Sequence, residues 1–92
     1  MVETKITIVG RNHYKNIKLA PEERIFLQRE PENTYDENAI AAYKQSGILF
    51  GHVIGSTARK LSSILSVEDT PLPGFISSGA HGRFRCTVTI TA

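Results

Sequence analysis

The sequence predicts a mainly β protein, a small barrel of five to six strands with one main α-helix at about residues 56–66, with or without a short second helix. Three observations predict this class. The 92 residues suffice for one domain, placed at 1–92. Several short β-branched runs alternate with clusters of turn-forming residues. A single stretch has the apolar spacing of a helix.

Two strands and two loops make up the first part of the chain. Residues 4–9 form a β-branched run that ends at a glycine, which predicts a strand, and residues 11–16 after it read as a polar loop. Residues 24–29 alternate between two faces and predict a second strand. Residues 30–38 are dense in side chains that bond local backbone, so we expect a long ordered turn.

A hairpin and a helix follow. Residues 39–43 and 48–53 flank a short connection in which Gly47 is available for a positive φ angle, which is typical of a β-hairpin. In residues 56–66 the first or second residue, Ser56 or Thr57, can cap a helix. The apolar residues of that helix fall close to one stripe. They are Ala58, Leu61, Ile64 and Leu65.

Two further strands end the chain. A breaker cluster at 70–74 precedes a short strand that begins at Phe75, and residues 83–91 alternate as a long final strand. Tyr43, on a hairpin strand, is expected in the core. The order of two strands, a hairpin, a helix and two strands favours a barrel of the oligonucleotide-binding (OB) type, closed or nearly so, and the alternative is a small open α+β sheet.

Composition limits the classes of function. Eleven Lys and Arg against nine Asp and Glu give a net charge of +2, too mildly basic to indicate nucleic acid alone. The basic side chains lie mostly outside residues 21–37, whose acids, Glu30 and Glu32 among them, are expected to be solvated. A domain of this size buries only about 60 to 65% of its surface, which favours surface binding over a deep catalytic pocket.

The sequence lacks the residue spacings that are typical of a catalytic cysteine or a zinc site, and it lacks an apolar run of membrane-spanning length. The single cysteine, Cys86, has no histidine at a characteristic offset and no partner for an internal disulfide. His13, His52, His81 and Cys86 lack the close spacing of zinc ligands. No apolar run approaches the roughly 20 residues of a membrane span. We expect a protein that has no enzymatic activity and binds no cofactor or metal. We expect it to be intracellular, in the cytoplasm or the nucleus.

One ordered set of motifs resembles a known family. Residues 27–40 read LQREPENTYDENAI, and GlyHis at 51–52 and ArgLysLeu in the predicted helix follow. This pattern resembles the HIRAN domain, found attached to DNA-remodelling translocases and in stand-alone or prokaryotic proteins. The resemblance extends from about Ile8 to the C-terminus. It implies an OB-like barrel that holds DNA, with end-binding members gripping the 3′-hydroxyl terminus of single-stranded DNA.

The resemblance also implies a role and partners. The role is recruitment to damaged or stalled replication DNA through single-stranded DNA or DNA 3′ ends. We expect a monomer without membrane contact, fused to or working with a helicase, translocase or nuclease. The alternative is a protein-interaction or architectural OB-like domain that has lost end binding. A third reading, an enzyme that turns over DNA ends, has no support in the residues.

Asp36 is the candidate sensor of a free 3′ end. Its carboxylate accepts a hydrogen bond from a hydroxyl but repels a phosphate at the same place. The alternative is that Asp36 and Asn38 simply bond the turn backbone. Aromatic rings can stack on bases and basic side chains can hold phosphates, although loop tyrosines also commonly pack against the barrel. The candidates for bases are Tyr14, Tyr35, His13 and His52, and the two histidines can alternatively bond phosphate oxygens. The other candidates for phosphates are Arg11, Lys15, Arg59 and Lys60.

Three departures from the end-binding relatives keep the alternative open. Where those relatives carry an arginine and two aromatic residues, this chain reads Asn12, His13 and Tyr14. The basic residue that they place near Gly55 and the aromatic residue near Ser78 are also missing. The pocket is therefore expected to be weaker or to prefer another ligand, unless Arg11 replaces the missing charge.

Overall fold

The computed structural model describes residues 3–14, 16–82 and 84–91. Its strands are β1 (Glu3–Val9), β2 (Arg24–Arg29), β3 (Ile40–Lys44), β4 (Leu49–Val53), β5 (Leu72–Ser78) and β6 (Cys86–Thr91). They form a closed antiparallel barrel in the order β1-β4-β3-β2-β5-β6. Helix α1 (Gly55–Ser62) follows β4, and 3-10 turns occupy Arg11–Tyr14 and Val67–Asp69. The predicted mainly β barrel with one main helix is confirmed.

Alternate strand residues fill the barrel, as the two-residue period of a strand requires. In β2, Ile25 and Leu27 are fully buried, while Phe26 lies on the outer face. Phe26 stacks there on Tyr43, with ring centroids 5.2 Å apart. The prediction that Tyr43 belongs to the core is therefore wrong. Its strand neighbour Ala42 points inward and is fully buried, so Tyr43 must face outward.

Helix α1 is shorter than predicted, since it ends at Ser62 and not at residue 66. The hydroxyl of Ser63 donates a hydrogen bond to the carbonyl of Lys60 and so competes for a helical acceptor. The expected apolar stripe breaks there, because Ala58 is buried but Ile64 is 74% exposed.

The strand boundaries differ from prediction at both ends of the last hairpin. Strand β5 begins at Leu72, because Leu72 and Pro73 already pair with Leu27 and Phe26 of β2. Strand β6 begins only at Cys86, where its pairing with Ile8 of β1 starts. The expected loop after β1 contains the 3-10 turn Arg11–Tyr14. Within the described ranges, no helix is long and apolar enough to span a membrane.

Closure of the barrel relies on a short crossing of β1 and β4. Strand β1 pairs with β6 along its length but with β4 only through Ile8 opposite Val53 and Val9 opposite His52. A Cβ atom on Gly51 would lie 2.6 Å from Ile8 Cγ2 and 2.8 Å from the Val9 carbonyl oxygen. Glycine is therefore required at this position, and the crossing holds His52 beside the end of β1.

Substitution of Gly51 should destabilise the barrel. We expect Gly51→Ala to lower the free energy of unfolding by about 1–3 kcal/mol or more, because the Cβ atom of the alanine must displace strand β1. Gly55→Ala is the matched control, since a Cβ on Gly55 meets nothing within 4 Å. It should change the free energy of unfolding by less than about 1 kcal/mol, in the stabilising direction. Urea denaturation measures both, and equal effects would contradict the close approach.

Candidate functional site

The turn between β2 and β3 is shaped by its own side chains. The side-chain oxygen of Asn33 accepts hydrogen bonds from the backbone N–H groups of Tyr35 and Asp36, at 2.9 and 3.0 Å. Asp36 Oδ1 accepts one from the N–H of Asn38 at 2.9 Å. The expected bonding of Asp36 to the turn backbone is thus present, and it occupies one of the two carboxylate oxygens.

Glu30 connects this turn to β4. Its Oε1 atom lies 2.9 Å from Nε2 of His52 and accepts a hydrogen bond from Nδ2 of Asn33 at 3.3 Å. The side chains of His52 and Glu30 are 31% and 27% exposed, so the pair lies at the surface of the barrel but is not freely solvated. The prediction that Glu30 is a solvated acid is therefore wrong. Strand pairing brings it to a histidine 22 positions away.

The end of α1 holds the other side of the turn. The Ser62 hydroxyl donates a hydrogen bond to Oδ1 of Asn38 at 2.9 Å. Just before the turn, Arg29 Nη1 donates to the carbonyl of Leu65 at 2.9 Å. The segment that carries Tyr35 and Asp36 is therefore fixed between β4 and α1.

The candidate aromatic residues lie in contrasting environments. Tyr35 is 98% exposed, so its whole ring is available to a ligand. His13 is exposed and Tyr14 half-buried on the 3-10 turn that packs against β4. Burial raises the pKa of Tyr43, and the nearby Glu30 and Tyr14 raise it further.

Arg11 is the candidate whose environment departs most from expectation. It is only 5% exposed, although an arginine in a polar loop was expected to reach phosphates. Its guanidinium donates to the carbonyl of Phe50 at 3.3 Å and to that of Ile17 at 3.1 Å, and it lies 5.9 Å from the centroid of the Phe50 ring. These contacts hold the 3-10 turn against β4 and leave little of the guanidinium for a phosphate.

The other basic candidates lie near α1 or outside the described residues. Arg59 and Lys60 are exposed in the last turn of α1, which ends four residues earlier than predicted. Lys15 lies outside the described residues. The start of α1 has no side-chain cap, so the prediction of a Ser56 or Thr57 cap is wrong. Uncapped first-turn amides suit an anion.

The described residues hold no metal-binding cluster, and their cysteine is buried. Among residues 3–14, 16–82 and 84–91, no three His, Cys, Asp or Glu side chains form a group that could hold a metal ion. Cys86 is buried, and desolvation raises its thiol pKa more than the nearby Arg11 lowers it. A protonated thiol is a poor nucleophile.

Comparisons with known proteins give consistent matches. A family model described as HIRAN domain matches residues 1–91. The human helicase-like transcription factor is 30% identical over 84 residues, which are 91% of this chain and 8% of that protein. The crystal structure of the HIRAN domain of human HLTF covers 96% of this chain and 72% of its own, with 27% identity and a TM-score of 0.82. The NMR structure of the HLTF HIRAN domain in its DNA-bound conformation covers 97% and 72%, with 28% identity and a TM-score of 0.75.

Loss of the Asn33 side chain should loosen the turn. Asn33→Ala removes the acceptor of two backbone N–H groups and one bond to Glu30. We expect faster hydrogen exchange at the amides of Tyr35 and Asp36 and a loss of about 1–2 kcal/mol in the free energy of unfolding. Glu32→Ala, which changes an exposed residue of the same turn, should leave both unchanged. Unaltered exchange in Asn33→Ala would mean that the turn does not depend on this side chain.

Proposed function

This chain belongs to the HIRAN domain family, and we propose that it is a DNA-binding module that holds single-stranded DNA at its free 3′-hydroxyl end. One observation carries the proposal. The fully exposed ring of Tyr35 adjoins Asp36 on a turn that Glu30, Asn33 and Asn38 lock in place. The DNA-bound conformation of a related HIRAN domain supports the assignment of this fold to DNA.

Asp36 and Tyr35 have the chemistry for a terminal nucleotide. One oxygen of Asp36 bonds the turn, and in this proposal the other accepts a hydrogen bond from the 3′-hydroxyl. A terminal phosphate at that place carries about −1.5 to −2 charges near neutral pH and is repelled. Stacking of a base on Tyr35 contributes about 1–3 kcal/mol without sequence preference. His13 and Tyr14 are further stacking candidates beside β4.

Backbone phosphates would contact the basic residues and the helix start. Arg59 and Lys60 supply exposed positive charge, and Lys15 is retained as a candidate from the sequence. The uncapped start of α1 supplies backbone N–H groups, which can compensate for the missing basic residue near Gly55. Arg11 would act by positioning the 3-10 turn that carries His13 and Tyr14.

The relatives support a proposal for the biological setting. The chain spans about 8% of the length of the curated relatives that it matches. We propose that it is a non-catalytic, monomeric module of intracellular DNA maintenance. It would bring a helicase, translocase or nuclease to damaged or stalled replication DNA.

A protein-interaction domain is the second candidate. One observation favours it, because Asn12 and Ser78 are exposed where end-binding relatives carry arginine and an aromatic residue. An absence of DNA binding at low salt, with a protein partner recovered, would favour this candidate.

End recognition should depend on the charge of Asp36. Fluorescence anisotropy would compare short single-stranded DNAs that end in a 3′-hydroxyl or a 3′-phosphate. We expect a preference for the hydroxyl that Asp36→Asn lowers by roughly tenfold, since a hydrogen bond to a charged group contributes about 1.5–3 kcal/mol. Asn retains an acceptor for the Asn38 amide. Glu37→Ala, which removes an exposed acid of the same turn, should keep the preference. An equal loss for both ends in Asp36→Asn would exclude end sensing.

Phosphate contacts should appear in the salt dependence. The double variant Arg59→Ala, Lys60→Ala should weaken binding of hydroxyl and phosphate ends alike. The slope of log affinity against log salt should become shallower by about 1.4, from roughly 0.7 per phosphate contact in single strands. Lys5→Ala removes an exposed positive charge from β1 and is the matched control. An unchanged slope in the double variant would place the phosphates elsewhere.

A further inference from the structure

We propose that contact between a DNA phosphate and His52 takes up one proton, so that affinity for single-stranded DNA rises as pH falls. The inference rests on the proposed function, because it concerns the same site. It follows from the hydrogen bonding of one imidazole ring and from the elements packed around it.

Glu30 determines which nitrogen of His52 carries a proton. Nε2 of His52 lies 2.9 Å from Oε1 of Glu30. An ionised carboxylate can only accept a hydrogen bond, so Nε2 must carry a hydrogen whether the ring is neutral or charged. In the neutral ring, Nδ1 is therefore a bare acceptor. Only the protonated ring has an N–H group at Nδ1.

A phosphate selects the protonated ring. The non-bridging oxygens of a phosphodiester have lone pairs and no hydrogen to donate, so they are repelled by a bare Nδ1. The protonated ring presents Nδ1–H and a positive charge, which together make a charge-assisted hydrogen bond. Glu30 then balances that charge from the opposite side of the ring at 2.9 Å. The ring takes the proton from the buffer acid in solution, which is left as its conjugate base, and no covalent bond of the DNA is broken.

Within the described ranges, the strand residues paired with His52 carry no titratable side chain. Strands β1 and β3 present the uncharged residues Val9 and Ala41 opposite it. Tyr43 of β3 lies close to both Glu30 and Tyr14, and the 3-10 turn that carries Tyr14 and His13 packs on β4. Among the residues that the structure describes, Glu30 is the one acid within ion-pair distance of His52.

His52 is also connected to the proposed end sensor. Glu30 bonds both His52 and Asn33, and the side-chain oxygen of Asn33 accepts the backbone N–H of Asp36. The bonds form an unbroken series from the imidazole to the turn that holds the DNA end. In this proposal, the phosphate at His52 and the terminus at Asp36 belong to the same strand.

Two substitutions separate proton uptake from a structural role. His52→Gln keeps one donor and one acceptor end but cannot titrate near neutral pH. Glu30→Gln has an amide that can donate to Nε2, which lets the neutral ring carry its hydrogen on Nδ1 and meet a phosphate without taking up a proton. His81→Gln is the matched control, since His81 is an exposed histidine in the β5–β6 loop.

Calorimetry measures the uptake directly. Titration of a short 3′-hydroxyl oligothymidylate, in two buffers of different ionisation enthalpy at fixed salt, gives the protons taken up per complex. We expect the wild type and His81→Gln to take up equal amounts, up to one proton per complex. Glu30→Gln should take up less, and His52→Gln should lack the uptake that comes from the imidazole. Wild-type affinity should fall as pH rises, by up to about tenfold per pH unit for one proton, and this dependence should flatten in His52→Gln.

The results that would overturn proton uptake differ from those that would overturn DNA binding. Equal proton uptake in the wild type and His52→Gln would overturn the inference and leave DNA binding intact. Nitrogen-15 NMR of the free chain gives a second test, because it reports which nitrogen of neutral His52 is protonated. A proton on Nδ1 would overturn the inference, and one on Nε2 would support it. If no oligonucleotide binds at any pH, the proposed function fails, and this inference fails with it.

Discussion

The arrangement of the whole molecule depends on the crossing of β1 and β4. Two residue pairs join these strands, and Gly51 lets them approach to a distance that any side chain would prevent. The crossing closes the barrel, and it sets His52 beside the end of β1. The 3-10 turn that follows β1 is held on β4 by the buried guanidinium of Arg11. Backbone sterics at one glycine thus determine which loops lie next to the candidate site.

Glu30 connects the turn between β2 and β3 to strand β4 by hydrogen bonds. A carboxylate that bonds both the turn and β4 fixes the position of Asp36 and the orientation of the His52 ring. The turn keeps Tyr35 outside the core, with its ring almost wholly exposed. A rigid turn loses little conformational entropy when a flexible single strand binds, so the cost of ordering falls mainly on the DNA. This suits a small domain, which has little interior to spare for an enclosed pocket.

The sequence predicts what local patterns determine. Strand β2 was predicted to the residue, because its alternation is clear and Pro31 follows it. The end of α1 was missed because a serine hydroxyl competes for one of its carbonyls, and the start of β5 because Pro73 is unusual inside a strand. The buried state of Arg11 and the Glu30–His52 contact could not be predicted. Their partners lie far along the chain and meet only when the strands pair.

The central claim is that a single-stranded 3′ end binds at the turn of Tyr35 and Asp36, beside His52. Amide chemical-shift mapping during titration with a short 3′-hydroxyl oligonucleotide tests it most directly. The account predicts saturable shifts that are largest at residues 33–38, at His52 and at the start of α1. Elsewhere on the barrel, a concavity of about 700 Å³ is lined by Arg11, residues 17–21, Glu23 and residues 80–82. Shifts confined to that concavity, or no shifts at low salt, would contradict the account.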